Sequence, residues 1–239
     1  MMFKYEMHFH TKCVSPCGQV VVEEAVDLYR EAGYDGLVVT DHFNENFFAG
    51  KIGFTWREKI DRFLAGYHRA SSYVRGEDFR VFLGLEITFT ETEGDFLLYG
   101  ADEQFLKRNK CFHQGSLGDF RELMDESEKK LLLFQAHPFR DRPAAPELLD
   151  GMEIFNGNAR HDNRNQQAKE FAARHGLLVT AGSDFHQKED LARAGIVTEK
   201  KLTGNPDLLS VLSGRVLEIY VSSAEEIERL KEIYSESCF

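Results

Sequence analysis

The stretch LLVTAGSDFH, residues 177–186, runs an apolar segment straight into Asp184 and His186. Residues two apart on a strand project from one face, so the segment reads as a buried strand whose end aims a carboxylate and an imidazole at one point. MHFHTK, residues 7–12, repeats the device with His8 and His10. Three more strand-like runs end similarly: GLVVTDH places Asp41 and His42, VFLGLE places Glu86, and LLLFQAHP places His137 before Pro138.

Helical patterns fill the intervals. VEEAVDLYREAG sets Ala25, Val26, Tyr29 and Ala32 on one face and closes at Gly33, and residues 57–75 carry Ile60, Phe63, Leu64, Tyr67 and Val74 as a stripe. NRNQQAKEFAARHG closes at Gly176, and Ser223 is suited to cap a last helix. FRVFLGLEITF and DFLLYG read as two strands joined tightly by ETEG. This alternation predicts a parallel α/β architecture, either a barrel or an open doubly wound sheet. No linker or composition break divides the 239 residues, so residues 1–239 are read as a single domain of a length ordinary for an α/β barrel.

In such a barrel the strand ends open on one rim, where sites are built. A lone buried histidine after a strand is more often a hydrogen-bonded core residue than a ligand. Ligand-type residues at the ends of five strands are harder to explain that way, because Asp and Glu are seldom buried without a partner. A metal cluster would partner them all at once.

Bulk composition narrows the possibilities. Forty acidic against 29 basic residues give a net charge of −11, which disfavours wrapping a nucleic-acid backbone through counterion release. A small anionic substrate held by local cations or metals remains compatible. Hydrophobic residues make up 42%, enough for a sizeable core, and no apolar run reaches the roughly 18 residues of a membrane span. With no leader pattern either, a cytoplasmic protein without membrane contact is expected. Cys13, Cys17, Cys111 and Cys238 form neither a disulfide framework nor paired CxxC motifs, and are read as reduced thiols.

HFHT, TDH, GLE, AHP and GSDFH, in this order across residues 8–186, resemble the motifs of the polymerase-and-histidinol-phosphatase (PHP) family. The resemblance implies a distorted seven-stranded (β/α) barrel, TIM-like, with two to three divalent ions (zinc, manganese or iron) at the C-terminal rim of its strands. It also implies hydrolysis of a phosphate ester through a metal-bridging hydroxide. Carried across, His8, His10 and Asp184 would bind a first ion, Glu86 would bridge it to a second held by His137, and His42 and His186 would share a third. Glu86, Asp184 and His186 would be catalytic, Asp184 orienting the nucleophile and His186, or His42, assisting the leaving oxygen.

Two departures stand out. The family usually follows HxHT with a Ser-Asp-Gly whose carboxylate supports the third ion; here the chain reads HTKCVSPCG, with no carboxylate. Cys13 and Cys17 could offer a thiolate there, favouring zinc, although the expectation is that both pack within the loop and water completes the site. Many small members also carry a histidine where DFLLYG has Asp95, so Asp95 and His113 are alternatives for completing the second ion. Arg140 and Arg160, on presumed rim loops, are candidates to hold phosphate oxygens. The expected partner is a small phosphorylated substrate such as a nucleotide, sugar phosphate or histidinol phosphate, with no stable nucleic-acid partner. The alternatives are a nuclease or nucleotide phosphodiesterase, and a binding module that has lost catalysis. Because nearly all motif positions are filled, an enzyme is favoured over the binding module.

Overall fold

The computed structural model describes residues 1–214 and 217–236. Strand β1 (Phe3–Phe9) leads through α1 (Val22–Glu31) to β2 (Gly36–Val39), and the two strands pair in parallel. A two-residue β3 (His42–Phe43) is followed by the short α2 (Glu45–Ala49), then α3 (Trp56–Phe63) and α4 (Ala65–Tyr73), which return the chain to β4 (Arg80–Thr88). The stripe over 57–75 is thus interrupted at Leu64. Just beyond, Gly66 packs so closely on the first rim loop that a Cβ would sit 2.2 Å from Thr11 Oγ1 and 2.8 Å from Asp41 Oδ2.

The tight connection read from ETEG is a hairpin that turns at Gly94, where φ is +94°, and brings β5 (Asp95–Tyr99) antiparallel to β4. After α5 (Glu103–Arg108) and α6 (Leu117–Asp125), β6 (Leu132–Gln135) pairs antiparallel to β5. The parallel pattern resumes with β7 (Gly151–Asn156), α7 (Asn165–His175) and β8 (Leu178–Gly182). Strand β9 (Ala194–Thr198) then runs antiparallel to β1; α8 (Asn205–Leu212), β10 (Glu218–Val221) against β9, and α9 (Ala224–Glu236) follow. Ser223 caps α9 through its hydroxyl and the Glu226 amide, and Gly176 ends α7 with φ of +66°. Cys238 lies outside the described residues.

The sheet order is β10-β9-β1-β2-β4-β5-β6-β7-β8, with β3 appended to β4. The ring nearly closes where β8 runs out beside β1: the His10 amide donates to the Phe185 carbonyl and the Phe185 amide to the His8 carbonyl, both at 3.1 Å. Gly182 permits the approach, since a Cβ there would meet the His8 Cβ at 2.5 Å. The expected seven-stranded distorted barrel is therefore the ring β1, β2, β4 to β8, and β3, β9 and β10 raise the count to ten among the described residues. It is not wholly parallel, because β5 enters by a hairpin rather than through a crossover helix.

Two strands carry irregularities that aim side chains. The β1–β2 register shifts between Glu6 and Phe9, and the β7–β8 register between Glu153 and Phe155. An extra residue in a strand bends it and redirects its side chains, commonly beside functional sites. No helix among the described residues is long and apolar enough to cross a membrane.

Candidate metal centre

The strand ends converge as the alternation requires. Glu86, at 1% exposure, sits at the middle: its Oε1 lies 3.2 Å from His8 Nε2 and 3.0 Å from His137 Nε2, and its Oε2 lies 3.3 Å from His10 Nε2 and 2.7 Å from His42 Nδ1. Asp184 Oδ1 is 3.5 Å from both His8 Nε2 and His10 Nε2 and 3.3 Å from His186 Nδ1. Three groups have ligand atoms all within 4.8 Å of one another: His8, His10 and Asp184; His8, Glu86 and His137; and His10, His42 and His186. His8 Nε2, His10 Nε2, His42 Nδ1 and Glu86 Oε2 are buried without a hydrogen-bond partner. Unsatisfied buried polar atoms are costly, and four aimed at one another fit a site whose partners are cations.

The backbone is strained at two of these positions. His137 and Asp184 have φ of +27° and +53°, a region that non-glycine residues enter at a cost of order 1–3 kcal/mol.

A second layer of polar groups fixes the rings. Glu153 Oε1 meets His8 Nδ1 at 3.0 Å, while Oε2 accepts from the His137 amide at 2.8 Å and from Asn156 Nδ2 at 2.9 Å. A carboxylate on Nδ1 leaves Nε2 as the lone-pair nitrogen, an arrangement common behind metal-binding histidines. His10 Nδ1 lies 3.3 Å from Ser15 Oγ, which donates to Asp41 at 2.7 Å, and His186 Nδ1 faces the Asp184 carbonyl at 2.9 Å. Asp41 does not face the cluster; it holds the first rim loop by accepting from the Thr11 amide and hydroxyl, both at 2.7 Å.

The electrostatics show how strongly the groups are coupled. Burial opposes charge on His8, yet Glu153, Asp184 and Glu86 hold its pKa well above the ordinary range. Burial, then His42 and His186, holds His10 well below it. Despite burial, His8 and His42 keep Glu86 well below the usual carboxylate range. Farther back, burial lifts Glu6 to about 7 while its carboxylate accepts from the His8 and Ser183 amides and the Tyr29 hydroxyl.

The remaining expected residues divide. Asp95 lines the same cleft, with Oδ2 at 3.9 Å from His137 Nε2. His113 does not reach it. It is buried behind the rim, stacked on Phe48 at 4.5 Å and facing Glu45 at 3.3 Å, so of the two alternatives only Asp95 joins the cluster. Arg140 spends Nε on Asn163 at 2.6 Å and Nη2 on Asn156 and Asp184, each at 2.8 Å, and lines the cleft. Arg160 also lines it, but its Nη1 holds both Asp190 oxygens at 3.0 and 2.8 Å. Cys17 lines the cleft with His42 and His186, whereas Cys13 turns to Thr11 Oγ1 at 3.4 Å. Partial desolvation of the Cys17 thiol, on a residue exposed at the cleft mouth, is outweighed by the neighbouring His186 and His42, which bring it to about 6.

Glu153, Glu6 and Asn156 were not among the expected residues. Their signal was a lone acidic or amide side chain inside an apolar run, as in GMEIFNG, where burial demands a partner.

Comparison with known proteins bears on the fold. A family model described as PHP-associated matches residues 162–216. PsfC from Pseudomonas syringae PB-5123 is similar at 15% identity and a TM-score of 0.67, over 100% of this chain and 99% of that one. A two-domain protein from Bacteroides vulgatus ATCC 8482, containing a predicted PHP-like metal-dependent phosphoesterase, is similar at 16% identity and a TM-score of 0.64, over 98% of this chain and 70% of that one. The lesion-specific endonuclease PfuEndoQ from Pyrococcus furiosus is similar at 14% identity and a TM-score of 0.58, over 92% of this chain and 58% of that one. No curated protein matches. The PHP-associated match is confined to residues 162–216, and the structural likenesses, at 14–16% identity, show a shared barrel fold.

Proposed function

We propose that the cleft hydrolyses small phosphate monoesters with the help of two or three divalent ions. One observation carries this reading: three overlapping ligand groups at the cleft floor, with four buried ligand atoms lacking hydrogen-bond partners. Imidazole and carboxylate together suit zinc, manganese or iron. The ligands would be His8, His10 and Asp184; Glu86 and His137 with Asp95; and His42 and His186. When bound, such ions supply Lewis acidity and lower the pKa of water toward ~7, so no separate strong base is needed.

The chain's own residues supply the rest. Asp184, fixed by Arg140, would orient a nucleophile, and Glu86 gathers four imidazoles around a single carboxylate. The Arg140 guanidinium keeps Nη1 outside those bonds, suited to a phosphoryl oxygen. His186, kept in place by its bond to the Asp184 carbonyl, would with His42 hold an ion able to offset charge on the leaving oxygen. The cleft is about 630 Å³, within the ~300–1,000 Å³ usual for small ligands. With the chain's net charge of −11, this size favours a compact phosphate over a polyanion.

The test is a substrate panel with manganese or zinc at fixed salt. Sugar phosphates, nucleoside monophosphates and histidinol phosphate should include a substrate whose kcat/KM exceeds that of a single-stranded oligonucleotide. The reverse ranking would make the protein a nuclease.

A further inference from the structure

We infer that Cys17 is a metal ligand, the third protein donor to an ion held by His42 and His186. This rests on reading the cleft as a metal centre. His10, His42 and His186 bring their nitrogens within 4.8 Å of one another, with ring centroids 4.4 Å apart for His10 and His42 and 4.3 Å for His10 and His186. His10 is fully buried and its Nε2, directed into this group, has no hydrogen-bond partner. That nitrogen also belongs to the group with His8 and Asp184. One lone pair serves one ion. When His10 is used with His8, only two imidazoles remain at the outer position, fewer than the three protein donors typical of a catalytic zinc site.

The first rim loop is built to deliver the missing donor. On one side Ser15 Oγ accepts from the His42 amide at 3.1 Å and lies 3.3 Å from His10 Nδ1; on the other the Gln19 amide donates to the His186 carbonyl at 2.7 Å. Cys17 lies between these anchors and lines the cleft beside both imidazoles. Cys13, four residues earlier, is held by Thr11 and is not among the cleft-lining residues. As the sulfur–metal bond forms, the thiol proton leaves to solvent, and the new thiolate offsets one of the ion's two charges. Two imidazoles and a thiolate favour zinc or cobalt over manganese.

The experiment adds cobalt(II) to metal-stripped wild type, Cys17→Ser and Cys13→Ser, reading absorption alongside bound cobalt per chain. Wild type and Cys13→Ser should develop thiolate-to-cobalt charge transfer in the near ultraviolet. Cys17→Ser should lack that band and bind one equivalent fewer. Cobalt bound by wild type with no sulfur band, or a band unchanged in Cys17→Ser, would overturn the ligand assignment and leave the metal centre standing. No cobalt bound by any of the three proteins would overturn both.

Discussion

Glu153→Gln should weaken divalent-metal binding without unfolding the barrel. Every group facing the Glu153 carboxylate is a donor: His8 Nδ1 at 3.0 Å on one oxygen, the His137 amide at 2.8 Å and Asn156 Nδ2 at 2.9 Å on the other. A glutamine can put its oxygen on only one side. If its NH2 faces His137 and Asn156, two hydrogen bonds to a buried carboxylate are lost. If it faces His8, the imidazole must move its proton to Nε2, the nitrogen that lies 3.2 Å from Glu86 and 3.5 Å from Asp184. That tautomer cannot ligate through Nε2. Loss of such a supporting carboxylate typically costs about 10–100-fold in metal affinity, or roughly 1.4–2.7 kcal/mol. Competition with a chelator at fixed pH measures it on metal-stripped wild type and variant, and thermal unfolding checks the fold. A variant that binds within twofold of wild type would refute the role given to Glu153.

Three other perturbations follow from the same geometry. Arg140→Ala removes a guanidinium from the cleft and should raise KM for a phosphomonoester by about tenfold, the scale of one charge-assisted hydrogen bond; an unchanged kcat/KM would exclude it from phosphate binding. Glu6→Gln should flatten the pH dependence of stability. Burial lifts the Glu6 carboxyl from 4.5 to about 7, so between those values the folded chain keeps a proton that the unfolded chain has released, and stability falls as pH rises, by up to roughly 3 kcal/mol. Glutamine still accepts from the His8 and Ser183 amides and can donate to Tyr29, so denaturant unfolding of the stripped proteins should show the variant gaining on wild type from pH 4.5 to about 7; a variant that holds level with wild type or loses ground to it over that range would contradict the assignment. His113→Phe should leave metal stoichiometry unchanged, since His113 sits among Phe43, Phe48 and Trp56; loss of an ion equivalent would restore it as a ligand.

The ligand positions were legible because each lies at a strand end, where local alternation decides what faces the rim. His8 with His10, and Asp184 with His186, needed only a period of two and the barrel rule. What escaped depends on contacts between distant segments. Glu153 reaches His8 across 145 positions, and both strands involved carry a register shift that alternation does not reveal. Asp41, beside His42 in sequence, turns instead to Thr11 and Ser15, a choice fixed by the folded rim loop. Asp95 and His113 were equivalent as residue types; the β4–β5 hairpin carried one to the cleft, while an aromatic cluster took up the other. The same hairpin, visible as ETEG, makes β5 antiparallel, which strand–helix alternation alone did not indicate.

The most direct measurement is turnover of a small phosphomonoester by metal-stripped protein as zinc or manganese is added back, with Glu86→Gln in parallel. Glu86 touches His8, His10, His42 and His137, so its loss should disperse the ligands while the barrel stays folded. Stripped wild type should be inactive and regain turnover over at least two bound equivalents, and Glu86→Gln should stay inactive at every metal concentration. Hydrolysis that survives complete metal removal, or a Glu86→Gln variant as active as wild type, would contradict a metal-dependent phosphoesterase centre in this cleft.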